Sequence, residues 1–411
     1  MQRFVMILAM GMATAGFALP PHAHAQTEAL MPQDTLTAEG FAAWRTTFRT
    51  RAMAQGVSSA TFDEVMAQAE FLPKVVERDR RQDEFSKTIW DYLDKAVSDD
   101  RIASGKKALQ KNAALFDKIE ARYGVDKYAV LAIWGLESAY GAVRGDISTV
   151  SALATLSYEG RRAEFFEGEL MTLLKIVQRG AATPAQLQGS WAGAMGHTQF
   201  MPSSYERLAV DFAGEGRANI WDDDPTDGLA SAAAYLANSG WKKGAPWATE
   251  VRLPAGFDYD QAGSRTQKPM SHWAGLGVVP ADGSAPADVG WSALILPAGA
   301  RGPAFLVYDN FAAIETYNKA DAYVIAVGHL ADRIRGAAAF VQEWPRDLRA
   351  LTLPEKIELQ ERLIARGVLS GDADGKIGPL TVAAVKAFQR QTGAVVDGYP
   401  CVPVLEALRK P

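Results

Sequence analysis

Apolar positions early in the chain keep a helical rhythm. Phe41, Trp44 and Phe48, then Phe62, Val65, Met66 and Ala69, recur one helical turn apart, the spacing that puts side chains on one face of a helix. The same pattern continues from Phe85 to Val97 through Ile89, Tyr92 and Leu93. Lys127 to Ser138 then forms a nearly unbroken apolar run that predicts a buried helix ending before Gly141. Near residue 245 the rhythm changes. Trp247 to Pro254, Ser292 to Leu296 and Ala304 to Asp309 are short segments bounded by Pro and Gly, and they predict strands. Helical spacing returns over Ala322 to Ile334. The expected order is therefore helical, then a small β subdomain at about 245–310, then helical again.

The pair Trp344-Pro345 breaks the chain before a last module, Leu351 to Leu408. One of its helices carries Ile357, Leu359 and Leu363, and another Val382, Val385 and Phe388. In the run Asp374-Gly-Lys-Ile-Gly-Pro, Gly375 and Gly378 make a turn, and Pro379 opens a helix in its first turn. The expected boundaries are 37–340 for a main domain and 349–411 for the module.

The first residues set an expectation about compartment. Arg3 precedes an uncharged apolar run, Phe4 to Leu19, and Ala23-His24-Ala25 offers small residues at the two positions a signal peptidase reads. This predicts a signal peptide over 1–25, a linker over 26–36 and export to the periplasm. The run is shorter than the ~20 residues a membrane span needs, so no membrane segment is expected after cleavage. No Cys lies near the cleavage point to carry a lipid. Cys401 is the only cysteine of the chain, so no internal disulfide can form; it reads as a buried, inert thiol.

Composition adds little beyond exclusion. The chain is 48% hydrophobic and 22% charged with a formal net charge of −5, a globular balance with no basic excess for nucleic acid. Of five histidines, two lie in the leader, and His197, His272 and His329 show no metal-ligand spacing. His197 is expected to line a cleft. No cofactor is expected, since neither a nucleotide-binding Gly-rich loop nor a Gly-x-Ser-x-Gly elbow occurs.

The chemistry gathers around Glu137. This carboxylate ends the apolar run, with Val130, Ile133 and Trp134 on or near its face. A carboxyl at a helix C-terminus meets the negative end of the dipole, and partial burial also disfavours its charge. Both effects suit a general acid working near neutral pH. The segment Ser190-Trp-Ala-Gly-Ala-Met-Gly-His-Thr-Gln-Phe-Met-Pro-Ser-Ser-Tyr205 sets small residues, hydroxyls and an amide between aromatic anchors. Gly193 and Gly196 let a ligand approach the backbone, and Ser190 and Gln199 can hydrogen-bond sugar hydroxyls and N-acetyl groups.

Glu-Ser-Ala-Tyr-Gly at 137–141, the Gly-Ala-Met-Gly-His-Thr-Gln-Phe-Met-Pro-Ser-Ser-Tyr run at 193–205 and Asn310-Phe…Glu-Thr-Tyr-Asn…Tyr323 resemble the membrane-bound lytic murein transglycosylase B family over about residues 36–340. The resemblance implies a mainly α fold: a goose-lysozyme-like α core with an added α subdomain and a small inserted β subdomain. It implies peptidoglycan glycan strands as the partner, Glu137 as the catalytic acid/base, and Ser190, Gln199, Tyr235, Tyr317, Asn318 and Tyr323 as substrate-binding residues. Tyr92 would fill a further aromatic position. The run at 374–389 resembles the common three-helix peptidoglycan-binding domain, which would hold the enzyme near its polymer by avidity.

A hydrolase of either stereochemistry needs a second carboxylate, about 5–5.5 Å or about 6.5–9.5 Å from the first. Asp146 and Glu159 are the nearby acids, in polar stretches that read as solvated loops. With one carboxylate, the resemblance implies a lytic route in which the muramoyl C6 hydroxyl closes a 1,6-anhydro ring. A lysozyme-type hydrolase and a non-catalytic wall-binding scaffold are the rival readings. Finally, Asp211 to Asp222 resembles a calcium loop with Asp211, Glu215 and Gly216 at the first, fifth and sixth positions. Asp227 could still add a carboxylate, but Ala213 offers no oxygen at the third position, and the loop reads as a structural turn.

Overall fold

The computed structural model describes residues 36–81, 87–263, 266–285 and 289–410. The expected leader over 1–25 and most of its linker lie outside the described residues. Two compact units divide the rest. One takes in 36–81 and 103–238, the other 87–102 and 239–410.

Helices dominate. In chain order they are α1 (Ala38–Ala54), α2 (Ser59–Met66), α3 (Pro73–Arg81), α4 (Ile89–Ala96), α5 (Asp99–Lys111) and α6 (Ala113–Tyr123). There follow α7 (Lys127–Ser138), α8 (Thr149–Glu159), α9 (Ala163–Gln178), α10 (Pro202–Leu208) and α11 (Thr226–Asn238). The remainder are α12 (Met270–Gly275), α13 (Asp309–Tyr317), α14 (Asp321–Arg335), α15 (Leu353–Ala365), α16 (Pro379–Thr392) and α17 (Val402–Arg409). Among the described residues no helix is long and apolar enough to cross a membrane.

In the first unit α7 and α8 are central. Nine of the twelve residues of α7 are buried, from Ala129 to Leu136 and Ser138, which is why its sequence shows no polar stripe. Asp126 caps it by accepting from Tyr128 N at 2.8 Å. A two-stranded antiparallel pair, β1 (Ile147–Ser148) with β2 (Gln188–Gly189), pins the segment after α7 to the loop before residue 190. Near the end of α3, Asp79 is 1% exposed and ion-paired to Arg161 and Arg162.

The second unit holds a five-stranded antiparallel sheet in the order β4-β6-β7-β3-β5. The strands are β3 (Ala248–Arg252), β4 (Lys268–Pro269), β5 (Val279–Pro280), β6 (Trp291–Ile295) and β7 (Ala304–Val307). They fall inside the expected 245–310 segment. Val251, Leu294 and Leu306 pack on one face with Trp273 and Tyr308. Phe305 belongs to a second aromatic group with Trp247, Phe340 and Trp344. Trp247 donates its Nε1–H to Asp332 on α14 at 2.7 Å.

The last three helices close their own small core, with Leu359, Leu363, Val385, Phe388 and Leu405. This module is docked on the sheet subdomain. Lys386 donates to the Tyr259 carbonyl at 2.9 Å, Arg390 pairs with Asp260, and the Asp397 carboxylate accepts from Ala300 N at 2.9 Å. Cys401 is half-buried rather than fully enclosed, and burial holds its thiol above its ordinary pKa.

Candidate active site

Glu137 stands in the last turn of α7 and is half-buried, one residue before the helix stops. The stop is unusual. Its cap, Ala139, has φ 50°, and Tyr140 follows at φ 60°. The left-handed region normally falls to Gly at this position, and each L-residue there costs about 1 kcal/mol or more. The third non-glycine residue with positive φ among those described is Gln199, at 51°. All three flank candidate site residues or are one, so the surrounding bonds must over-determine this region.

Those bonds are explicit. Ser138 Oγ donates to the His197 carbonyl at 2.6 Å and accepts from Gly141 N at 3.0 Å. Trp134 Nε1–H donates to His197 Nδ1 at 3.2 Å. That bond makes Nδ1 the acceptor, so the proton sits on Nε2, which donates to the Asp222 carbonyl at 2.9 Å. Burial lowers the His197 pKa, in keeping with a neutral ring. His197 is 2% exposed. The expectation that it lines a cleft is therefore corrected: it is an internal strut between α7 and the 190–205 loop. A polar ring among glycines reads as a cleft residue until its partners, Trp134 and the Asp222 carbonyl, both distant in sequence, are known.

Gln199 has a defined polarity. Its Nε2 donates to the Arg144 carbonyl at 3.0 Å and to the Gly196 carbonyl at 2.9 Å. The reversed amide would face two carbonyl oxygens with a third, so the network fixes the assignment. Both N–H groups are spent, and the amide oxygen is what Gln199 offers a ligand. Ser190 is 1% exposed, and its Oγ accepts from Ala192 N at 3.3 Å and Ala194 N at 3.0 Å. It shapes the loop and keeps one O–H to donate.

Close backbone approach explains the glycines here. A Cβ on Gly135 would lie 2.6 Å from the Tyr140 ring, which meets Trp134 edge-on at 5.9 Å. At Gly145, φ +93°, a Cβ would sit 2.1 Å from the Gly189 carbonyl oxygen.

Glu137, Ser190 and Gln199 all belong to the first unit. Tyr235 of α11 belongs to the same unit, half-buried and edge-on to Phe200 at 6.0 Å. Tyr92, Tyr317, Asn318 and Tyr323 belong to the second unit. Tyr317, Asn318 and Tyr323 are 7%, 3% and 0% exposed, and the Asn318 side-chain oxygen accepts from Ala320 N at 3.0 Å, at the start of α14. Tyr92, on α4, is half-buried.

The acids considered as a second catalytic carboxylate differ from each other. Asp146 is exposed, as expected. Glu159 is not solvated: it is 2% exposed, paired with Arg80 at 2.9 Å and accepting from Arg161 N at 3.0 Å. Arg80 lies far away in sequence, so nothing local announced the pair. In the 211–222 loop, Asp211 accepts from Gly214, Glu215 and Gly216 N at 2.7–2.9 Å, and these bonds hold its pKa low. Asp227 accepts from Phe212, Ala213 and Asn219 N at 2.7–3.0 Å. Both carboxylates organise the turn itself. Among the described residues no cluster of three metal-ligating side chains occurs. Arg144, not singled out from the sequence, bonds the Asp222 carbonyl and Asp223 through its guanidinium and Gln199 through its carbonyl.

Comparison with known proteins converges. The transglycosylase SLT domain matches residues 40–332, and a putative peptidoglycan binding domain matches 353–407. Membrane-bound lytic murein transglycosylase B of Escherichia coli (strain K12) is 34% identical over 249 residues, which is 59% of this chain. The chain spans 66% of the length of that curated relative. SltB3 from Pseudomonas aeruginosa, solved in complex with NAG-anhNAM-pentapeptide, is 46% identical with a TM-score of 0.87, covering 90% of this chain and 99% of that one. The Escherichia coli lytic transglycosylase Slt35, solved in complex with calcium, is 31% identical with a TM-score of 0.62, covering 71% and 92%.

Proposed function

The chain belongs to the transglycosylase SLT domain family, and from that premise we propose that it is a lytic transglycosylase of peptidoglycan that uses Glu137 as its single acid/base. Glu137 protonates the oxygen between N-acetylmuramic acid and N-acetylglucosamine, and the glycosidic bond breaks. The N-acetyl oxygen supports the positive charge that develops at the anomeric carbon. Ionised Glu137 then takes the proton of the muramoyl C6 hydroxyl as that oxygen bonds to the anomeric carbon. The 1,6-anhydro ring closes, and Glu137 regains its proton without water entering the product.

One observation carries the reading. Glu137 ends a buried helix and is half-buried, bonded through Ser138 to the loop that holds Gln199, while Glu159 is committed to Arg80 and Asp146 is exposed. Burial and the helix dipole favour the protonated carboxyl a general acid needs. Gln199 accepts a hydrogen bond from a sugar hydroxyl or an N-acetyl N–H, and the Ser190 hydroxyl donates one. Tyr235 of the same unit adds a saccharide contact, and the family resemblance alone supports Tyr92, Tyr317, Asn318 and Tyr323 as further substrate-binding residues. Calcium has no assigned role here. The module at 349–411 binds the wall and keeps the catalytic domain on its polymer. The leader read from residues 1–25 directs the enzyme to the periplasm.

The test is the mass of the products from purified sacculi. Anhydromuramoyl ends, lighter by one water than reducing ends, are expected. Reducing ends alone would make the enzyme a lysozyme-type hydrolase, and undigested sacculi would make the chain a binding scaffold.

A further inference from the structure

Two side chains outside the proposed acid and saccharide contacts link the end of α7 that carries Glu137 to Gln199. The Arg144 carbonyl accepts from Gln199 Nε2 at 3.0 Å. Its guanidinium donates to the Asp222 carbonyl and to Asp223 Oδ1, both at 2.5 Å. His197 links the same Asp222 carbonyl at 2.9 Å to Trp134 Nε1 at 3.2 Å, three residues before Glu137. A continuous path therefore runs from the catalytic turn through His197, Asp222 and Arg144 to the amide of Gln199.

We infer that Arg144 and His197 are positioning residues for glycosidic cleavage, fixing the Gln199 amide oxygen relative to the Glu137 turn without touching substrate. The inference rests on the reading of Glu137 and Gln199 given above. Both ring nitrogens of His197 are already bonded within the protein, to Trp134 and to the Asp222 carbonyl, so the ring has no polar atom left for a glycan. Ser138 Oγ already ties α7 to the His197 carbonyl at 2.6 Å, and that bond needs no imidazole. The ring and the guanidinium add angular placement. They hold a region in which Ala139, Tyr140 and Gln199 all occupy left-handed backbone, a state that relaxes when its constraints are removed.

The test is steady-state digestion of sacculi by variants of the full chain, with folding checked by circular dichroism and thermal melting. His197→Phe keeps the ring volume and the backbone bond but loses both ring hydrogen bonds. Since misplacement by 1 Å can cost about 100-fold, kcat should fall at least about tenfold with KM nearly unchanged. His197→Gln restores a donor and an acceptor and should recover most of the loss. Asp223→Ala removes a carboxylate that is 98% exposed, so it cannot unfold the chain. It should lower kcat by about 1.5- to fivefold, the range of an exposed ion pair, and should add nothing when combined with Arg144→Ala.

A folded His197→Phe with wild-type kcat, or one altered only in KM, would overturn the inference. If that variant fails to fold, Asp223→Ala decides, and wild-type kcat there overturns it. A wild-type chain that leaves sacculi intact would instead strike the Glu137 reading itself.

Discussion

Replacing Gly135 with Ala sets two effects of similar size against each other and separates stability from activity. In a helix interior, Ala is better than Gly by about 1 kcal/mol. At Gly135, however, the added Cβ would meet Tyr140 Cζ and Oη at 2.6 Å and Cε1 at 2.7 Å. Ordinary contact needs about 3.5–4 Å, so the ring must withdraw by roughly 1 Å. Its freedom to do so is small, because the Tyr140 backbone is left-handed and its ring packs on Trp134. Overpacking of this kind costs about 1–3 kcal/mol. The net change is therefore about 0–2 kcal/mol destabilising, a few degrees in Tm for a domain of this size. The catalytic turn moves with the ring, and turnover on sacculi should fall at least about tenfold. Gly168→Ala is the internal control. It lies on α9, where an added Cβ would have nothing within 4 Å, so it should raise Tm by a few degrees and leave turnover alone. Should Gly135→Ala also raise Tm and keep full turnover, the Tyr140 contact would have no bearing on the site.

His329 is held down to about pH 4 by burial, mainly through desolvation, and stacks on Phe340 at 3.8 Å. Its unfolded form titrates near 6.5, so the unfolded chain binds the proton first. Stability is lost as pH falls from about 6.5 toward 4, by about 3 kcal/mol. His329→Phe should abolish that part of the acid sensitivity in urea melts run between pH 7 and 4. Glu355 behaves oppositely. Its bonds to Arg349 and Thr352 N hold it at about 2, and it completes the capping box of α15. Its contribution is full above about pH 4.5 and vanishes as pH falls toward 2. Glu355→Gln should destabilise the C-terminal module by about 1 kcal/mol at neutral pH and by nothing near pH 2. In the 211–222 loop, calcium would have to displace backbone N–H groups from Asp211 and Asp227. Adding calcium after chelation should therefore leave Tm unchanged, and a rise of several degrees would show a site.

What the sequence made legible was whatever local periodicity encodes. The apolar run ending at Glu137 matches α7 from Lys127 to Ser138. The segments around 247–254, 292–296 and 304–309 became β3, β6 and β7, each within a few residues of its expected ends. Pro379 opens α16 as its ring and missing N–H dictate. The two-residue strands β1, β2, β4 and β5 are too short to show any alternation. The site was legible as residues, not as geometry. Ala139, Tyr140 and Gln199 give no sign of left-handed backbone, because the side chains that favour it are Gly and Asn. From sequence His197 is expected to line a cleft and Glu159 to lie in a solvated loop, because the partners that bury them lie 25 and 79 positions away. The docking of the last module is not legible for the same reason: Asp260 pairs with Lys386 and Arg390 from a distant part of the sequence.

Digestion of purified sacculi by Glu137→Gln bears most directly on the central claim. This substitution preserves shape and hydrogen bonding but cannot donate and recover a proton. The account predicts a folded protein that still binds sacculi and releases no anhydromuramoyl product. Release of that product at the wild-type rate would mean that another group carries the proton.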